Sequence, residues 1–175
     1  MCAMCRSTSH THGYGRDVLF EEVAHVLDAL DGSRVRHWVG GGWGIDVLVG
    51  RQTREHRDLD LAVDADQMQE CLRTLNGLGY ATETDWLPVR IELKCPVDGW
   101  VDVHPVAFDD TGQGRQAGLD GAHFDYTSDA FTVGVLNGRQ INCLSVHQQR
   151  DFHTGYEHQA KDAHDLAQLK VLEQP

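Results

Sequence analysis

The chain has 175 residues, enough for one domain with a reasonable core, and five cysteines at positions 2, 5, 71, 95 and 143, an odd and scattered set that makes no disulfide framework. Asp and Glu number 27 against 15 Lys and Arg, a formal net charge of −12, which opposes a nucleic-acid backbone and suits a small cationic substrate. No apolar run approaches the roughly 20 residues that span a bilayer and the N-terminus lacks the apolar core of a signal peptide, so a cytoplasmic protein with neither membrane nor nucleic-acid partners is expected.

Residues 1–15 carry no hydrophobic period and read as a flexible tail. Cys2, Cys5, His10 and His12 within it are cramped for a structural zinc site. Residues 16–175 are expected to form a single domain. Asp17 is a plausible N-cap for a first helix whose stripe Val23, Val26, Leu27 and Leu30 runs to Gly32. A first strand at 35–39, a short helix at 42–48 and a second strand at 58–63 follow. A helix at 65–78, with Met68, Cys71, Leu72 and Leu75 on one face, stops before Gly79. Strands at 89–95 and 100–105 flank the turn Pro96-Val97-Asp98-Gly99, and 109–120 reads as a loop. Residues 131–135 and 140–144 flank Asn137-Gly138 as a second hairpin. Helices are expected at 146–152 and 161–172. The outcome is an α+β fold, a small mixed sheet with helices packed against it.

Two features of the first half point to chemistry. Gly40-Gly41-Gly42-Trp43-Gly44 opens a helix, and glycines there let a polyphosphate approach the backbone at the positive end of the helix dipole. Shortly after it, Asp58 and Asp60 alternate on a strand, so both carboxylates point to one face. Such a pair, with substrate phosphates and water, is a common way to hold Mg²⁺. Asp102, on a neighbouring strand, supplies a third carboxylate. If the second strand extends backward, Arg54 and His56 share parity with Asp58 and Asp60 and could face the same phosphates, whereas Arg57 points away. A loop histidine satisfied by backbone is the competing reading of His56, and a structural hydrogen bond or salt bridge suits Asp46. Gly41 and Gly42 are expected beside the triphosphate, with Trp43 closing the turn. Lys161 is a candidate triphosphate contact. Glu92, on the strand paired with that of Asp102, could attract a protonated amine. Trp86 and Tyr156 are candidate walls for an amphipathic sugar.

The run Trp38 to Arg51, followed by Arg54-Glu55-His56-Arg57-Asp58-Leu59-Asp60, resembles the signature of antibiotic nucleotidyltransferases of the nucleotidyltransferase-fold superfamily. It is most similar to the small lincosamide nucleotidyltransferases and more distantly to the aminoglycoside 2″-nucleotidyltransferases. Similarity continues through Trp86-Leu87-Pro88-Val89-Arg90-Ile91-Glu92-Leu93-Lys94 and Val101-Asp102-Val103-His104-Pro105 to about Tyr156. The resemblance implies the nucleotidyltransferase fold, with Asp102 matching the family's catalytic aspartate. With Asp58 and Asp60 holding the metal, Asp102 is assigned as general base toward the acceptor hydroxyl while also ligating one metal. The expected reaction is Mg²⁺-dependent transfer of AMP from ATP to a hydroxyl of a lincosamide, releasing pyrophosphate. The same chemistry on an aminoglycoside or another small metabolite, and a non-catalytic nucleotide-binding protein of toxin–antitoxin type, remain open. A homodimer is compatible with the sequence.

Overall fold

The structure is a computed structural model that describes residues 17–154 and 157–173. The N-terminal tail and Tyr156 lie outside the described residues. Element order is α1 (Phe20–Gly32), β1 (His37–Val39), α2 (Gly41–Val49), β2 (Asp58–Asp64), α3 (Met68–Gly77), β3 (Ala81–Trp86), β4 (Arg90–Cys95), β5 (Gly99–Phe108), β6 (Gly114–Ala117), β7 (His123–Tyr126), β8 (Phe131–Leu136), β9 (Arg139–Leu144), α4 (Val146–Asp151) and α5 (Ala160–Leu172). The described strands form one mixed sheet in the order β3-β4-β5-β2-β1-β9-β8, with β6 added to the far end of β5 and β7 to β6. β2 runs parallel to β5, and β1 touches β9 in parallel at Val39 and Cys143. The remaining pairs are antiparallel.

Strand parity sorts the central sheet into two faces. Leu59, Leu61 and Val63 of β2, Val101 and Val103 of β5, and Ile91 and Leu93 of β4 point into the main core, where they meet Val23, Leu27 and Leu30 of α1 and Cys71 and Leu75 of α3. Burial of such side chains contributes about 1.5–3 kcal/mol each, so this face holds the sheet together and leaves the opposite parity free for polar work. A smaller cluster on the other side joins Ala62, Val106, Tyr126, Ala130 and Leu144, with Trp38, Phe108, Phe131 and Phe152 packed against it.

Several expected boundaries shift. The first helix is entered at Leu19, whose backbone N–H donates to Glu22 at 2.8 Å, so Asp17 is not its cap. The segment expected as a loop at 109–120 contains β6, which pairs with β5 through Val106↔Gln116 and with β7 through Gln116↔Phe124. These are four-residue strands specified by antiparallel pairing with their chain neighbours, with little hydrophobic signal of their own. β3, too, arises from pairing with β4, since its side chains are largely exposed and give no hydrophobic alternation.

α2 is buried on almost every side: Trp43, Gly44, Ile45, Asp46 and Val47 are all inaccessible. Trp43, expected to close the turn beside a nucleotide, instead lies 1% exposed in the core, tilted against Phe20 at 6.3 Å and His56 at 4.6 Å. Helical geometry is the reason, because position 43 shares its face with Val47, which packs into the same cluster. Trp43→Ala is expected to cost about 3–5 kcal/mol through the cavity it leaves, read as a drop in denaturant midpoint. A loss below 1 kcal/mol would contradict this packing.

Candidate active site

The glycine turn and β2 are built around each other. Gly40 N–H donates to the Asp60 carbonyl at 2.9 Å, which fixes the entry to α2 beside the strand. Gly41 has φ +53, and a β-carbon there would collide with the Asp60 carboxylate. A β-carbon on Gly42 would meet the His56 ring and the Arg54 guanidinium. The sequence therefore needs glycine at both positions, and the first turn of α2 presents its unsatisfied backbone N–H groups at the edge of a carboxylate.

In the β2–β5 ladder Asp60 lies opposite Asp102 and Asp58 opposite Trp100. Across the β4–β5 ladder Glu92 also lies opposite Asp102. Three acidic side chains from three strands thus form one row on the polar face. His104, two residues beyond Asp102, shares that face: its Nε2 is 3.5 Å from Asp60 Oδ1 and 3.8 Å from Asp102 Oδ2. Ligand atoms of Asp60, Asp102 and His104 all fall within 4.8 Å of one another. Arg90 pairs with Asp102 Oδ2, while the buried Asp102 Oδ1 has no hydrogen-bond partner among the described residues. An orphaned carboxylate oxygen in such a cluster is chemically suited to a divalent cation.

The charges set the titration of the group. Burial opposes ionisation of Asp60, but the hydrogen bond and charge of His104, with Lys161 and Arg90, hold its carboxyl below the ordinary range. Burial raises Asp102, His104 and Arg90 oppose that, and the Asp60 charge adds to it. Burial followed by the Asp60 charge raises Asp58, against the pull of Arg57. His104 is raised, since Asp60 and Asp102 outweigh its burial and the Arg90 charge.

Two cavities meet at Asp60. A polar one of about 540 Å³ is lined by Gly41, Gly42, Arg54, His56, Arg57 and Asp58, and on its far wall by Lys161 and Asp165. An apolar one of about 320 Å³ is walled by Phe124, Tyr126, Leu144 and Phe152, with Gln116 and His104 as polar members. Gly41, Asp60 and His153 border both.

The expected nucleotide-side residues therefore fall on one cavity, apart from Trp43. Arg54 does so while held by Asp165 of α5 at 2.6 and 2.8 Å. The buried His56 is fixed by Asp46, whose Oδ2 lies 2.5 Å from Nε2, and Thr53 occupies the other Asp46 oxygen at 2.6 Å. Asp46 thus has a structural role. Arg57 does not point away as parity suggested: it contacts Asp58 at 3.0 Å and Glu92 at 3.3 Å and lies over Trp100. The strand begins only at Asp58, so alternation does not extend back to residue 57, and a long side chain bends over the polar face. Glu92 also accepts from Thr84 Oγ1 at 3.1 Å. Trp86 is half-exposed under Arg90, with the guanidinium 4.7 Å from the ring centroid.

Sequence reasoning missed His104, Arg90, Gln116 and His153 as neighbours of the site. Parity was available for the first two, each two residues from a chosen carboxylate on the same strand. Gln116 reaches the site through the pairing of β6 with β5, and His153 through tertiary packing.

Comparison with known proteins places this geometry in context. The family model described as aminoglycoside-2''-adenylyltransferase matches residues 22–169. A lincosamide resistance protein from Staphylococcus haemolyticus is 38% identical over 156 residues, covering 89% of this chain and 97% of the relative. A 2''-aminoglycoside nucleotidyltransferase from Klebsiella pneumoniae is 37% identical over 130 residues, covering 70% and 66%. The lincomycin-bound crystal structure of the lincosamide antibiotic adenylyltransferase LnuA superposes with a TM-score of 0.82 at 37% identity, over 89% of this chain and 99% of that one.

Proposed function

The chain belongs to the aminoglycoside-2''-adenylyltransferase family of antibiotic nucleotidyltransferases, and from that premise we propose that it transfers AMP from ATP to a hydroxyl of a lincosamide, releasing pyrophosphate and conferring resistance. The observation that carries the reading is the meeting of a polar and an apolar cavity at Asp60, beside a helix N-terminus and two further aspartates. Phosphoryl-type transfer asks a protein to position two reactants and neutralise charge between them. The polar cavity supplies Gly41 and Gly42, Arg54, His56 and Lys161 to the triphosphate. The apolar cavity takes the uncharged part of a bound substrate.

Asp58, Asp60 and Asp102 would hold Mg²⁺, which would offset the negative charge of the phosphates. The orphaned Asp102 oxygen supports that assignment. Asp102, on the strand beside β4, accepts the proton of the attacking hydroxyl. Glu92 and Trp86 offer that acceptor a carboxylate and an aromatic surface on the same face, and the acidic net charge favours a cationic drug. Nucleoside triphosphate supply fits a cytoplasmic enzyme.

Incubation with MgATP and lincomycin or clindamycin should yield drug carrying one added nucleoside monophosphate, with pyrophosphate, detected by mass analysis. Labelling of an aminoglycoside with every lincosamide untouched would overturn the acceptor while leaving the chemistry. ATP binding with no acceptor labelled in a broad panel would favour the non-catalytic reading.

A further inference from the structure

Tyr126 and Gln116 stand on the β6–β7 ribbon, which is attached to the end of β5 beyond His104. The Tyr126 hydroxyl donates to Gln116 Oε1 at 2.6 Å, and Gln116 Nε2 lies 3.2 Å from His104 Nδ1. Tyr126 is 1% exposed, stacked on Phe131 with ring centroids 5.6 Å apart and edge-on to Phe152. Its phenol is pushed up by burial, so it remains a donor.

We propose that Tyr126 and Gln116 are positioning residues that hold His104 with its Nε2–H edge toward Asp60 and Asp102, so that His104 orients these carboxylates as a hydrogen-bond donor and is not a third metal ligand. The inference rests on nucleotidyl transfer at this site for its consequence on rate, but its geometric content is independent of the acceptor.

The argument follows the direction of each hydrogen bond. Tyrosine hydroxyl at Gln116 Oε1 orients the amide, which leaves its NH₂ facing the imidazole. An amide nitrogen only donates, so in the neutral ring His104 Nδ1 accepts and the single ring proton sits on Nε2. That nitrogen is the one aimed at Asp60 Oδ1 and Asp102 Oδ2, at 3.5 and 3.8 Å. A nitrogen carrying a proton has no lone pair for a cation. Although His104 stands within 4.8 Å of both carboxylates, the set left for a metal is oxygen-only, which suits Mg²⁺ better than a mixed one.

The test is the tautomer of His104, read by two-bond ¹H–¹⁵N correlation in uniformly ¹⁵N-labelled full-length protein at alkaline pH, with His104→Gln used to assign its signals. An Nε2–H tautomer that persists on saturation with Mg²⁺ is expected. Gln116→Glu replaces the donor facing Nδ1 by an acceptor, so the ring should switch to Nδ1–H while kcat falls about tenfold or more and KM for ATP changes little. Tyr126→Phe, which keeps the ring packing, should give mixed tautomers and a smaller kcat loss. An Nδ1–H tautomer in the wild type, loss of the Nε2 proton on adding Mg²⁺, or a wild-type tautomer in Gln116→Glu would overturn the proposal. If Gln116→Glu does not fold, the wild-type spectra alone decide. Absence of turnover with every acceptor, alongside the expected tautomer, would defeat the transfer reading and leave the positioning intact.

Discussion

Asp60→Asn should lower turnover by about a thousandfold or more without unfolding the protein. The substitution keeps shape and removes one negative charge from the residue that borders both cavities. Neutralising the charge of a transferring phosphoryl group with a metal ion is worth several kcal/mol of barrier, and each 1.4 kcal/mol is tenfold in rate, so if Asp60 ligates the ion as proposed, its loss is large by arithmetic alone. Asp58→Asn is expected to abolish turnover as well. Its carboxyl is raised by burial and by Asp60, so it depends on a cation more than an isolated aspartate does. The measurements are single-turnover rate with MgATP and drug, thermal melting to establish folding, and activity in strong chelator restored by added Mg²⁺. Undiminished rate in chelator would remove the metal from the reaction, and wild-type turnover in Asp60→Asn would remove the residue.

The row of carboxylates was legible because strand alternation is local: Asp58, Asp60 and Asp102 stand at the right parity, and the hairpin at 96–99 brought β4 beside β5. Register was not legible, and it is register that sets Asp60 and Glu92 directly across from Asp102. Arg54, His56 and Arg57 were judged by extending a strand that stops at Asp58, so all three border the polar cavity through loop packing, Arg57 included, which parity had turned away from it. Trp43 was misread because an aromatic beside functional glycines can face either way, and only the neighbouring Phe20, His56 and Val47 decide for the core. β6 and β7 escaped for a different reason. The segment around them is polar and glycine-rich, and its strands are specified by folding back onto the nearby end of β5 and not by any hydrophobic alternation, which brings Gln116 and Tyr126 to His104.

Asp102→Asn should reduce turnover by about 10²–10⁴-fold, the usual contribution of a positioned general base, while MgATP affinity stays near wild type. Three observations set this residue apart from Asp60. It lies on β5 between Glu92 and Asp60, one of its oxygens is engaged by Arg90, and the other is buried with no partner among the described residues. A buried acceptor oxygen of this kind can take a proton or a cation, and burial together with the Asp60 charge makes its carboxyl a stronger proton acceptor than an ordinary aspartate. Asparagine at this position can still pair its amide oxygen with Arg90, so the strand and the polar face should stay in place. The variant is to be measured for MgATP binding by titration, for the metal concentration giving half-maximal rate, and for the rate of drug modification. Retained MgATP affinity and metal requirement with a large rate loss would identify proton acceptance as its contribution. A parallel loss of metal affinity would make ligation the larger part, and wild-type turnover would show that the acceptor's proton leaves by another route.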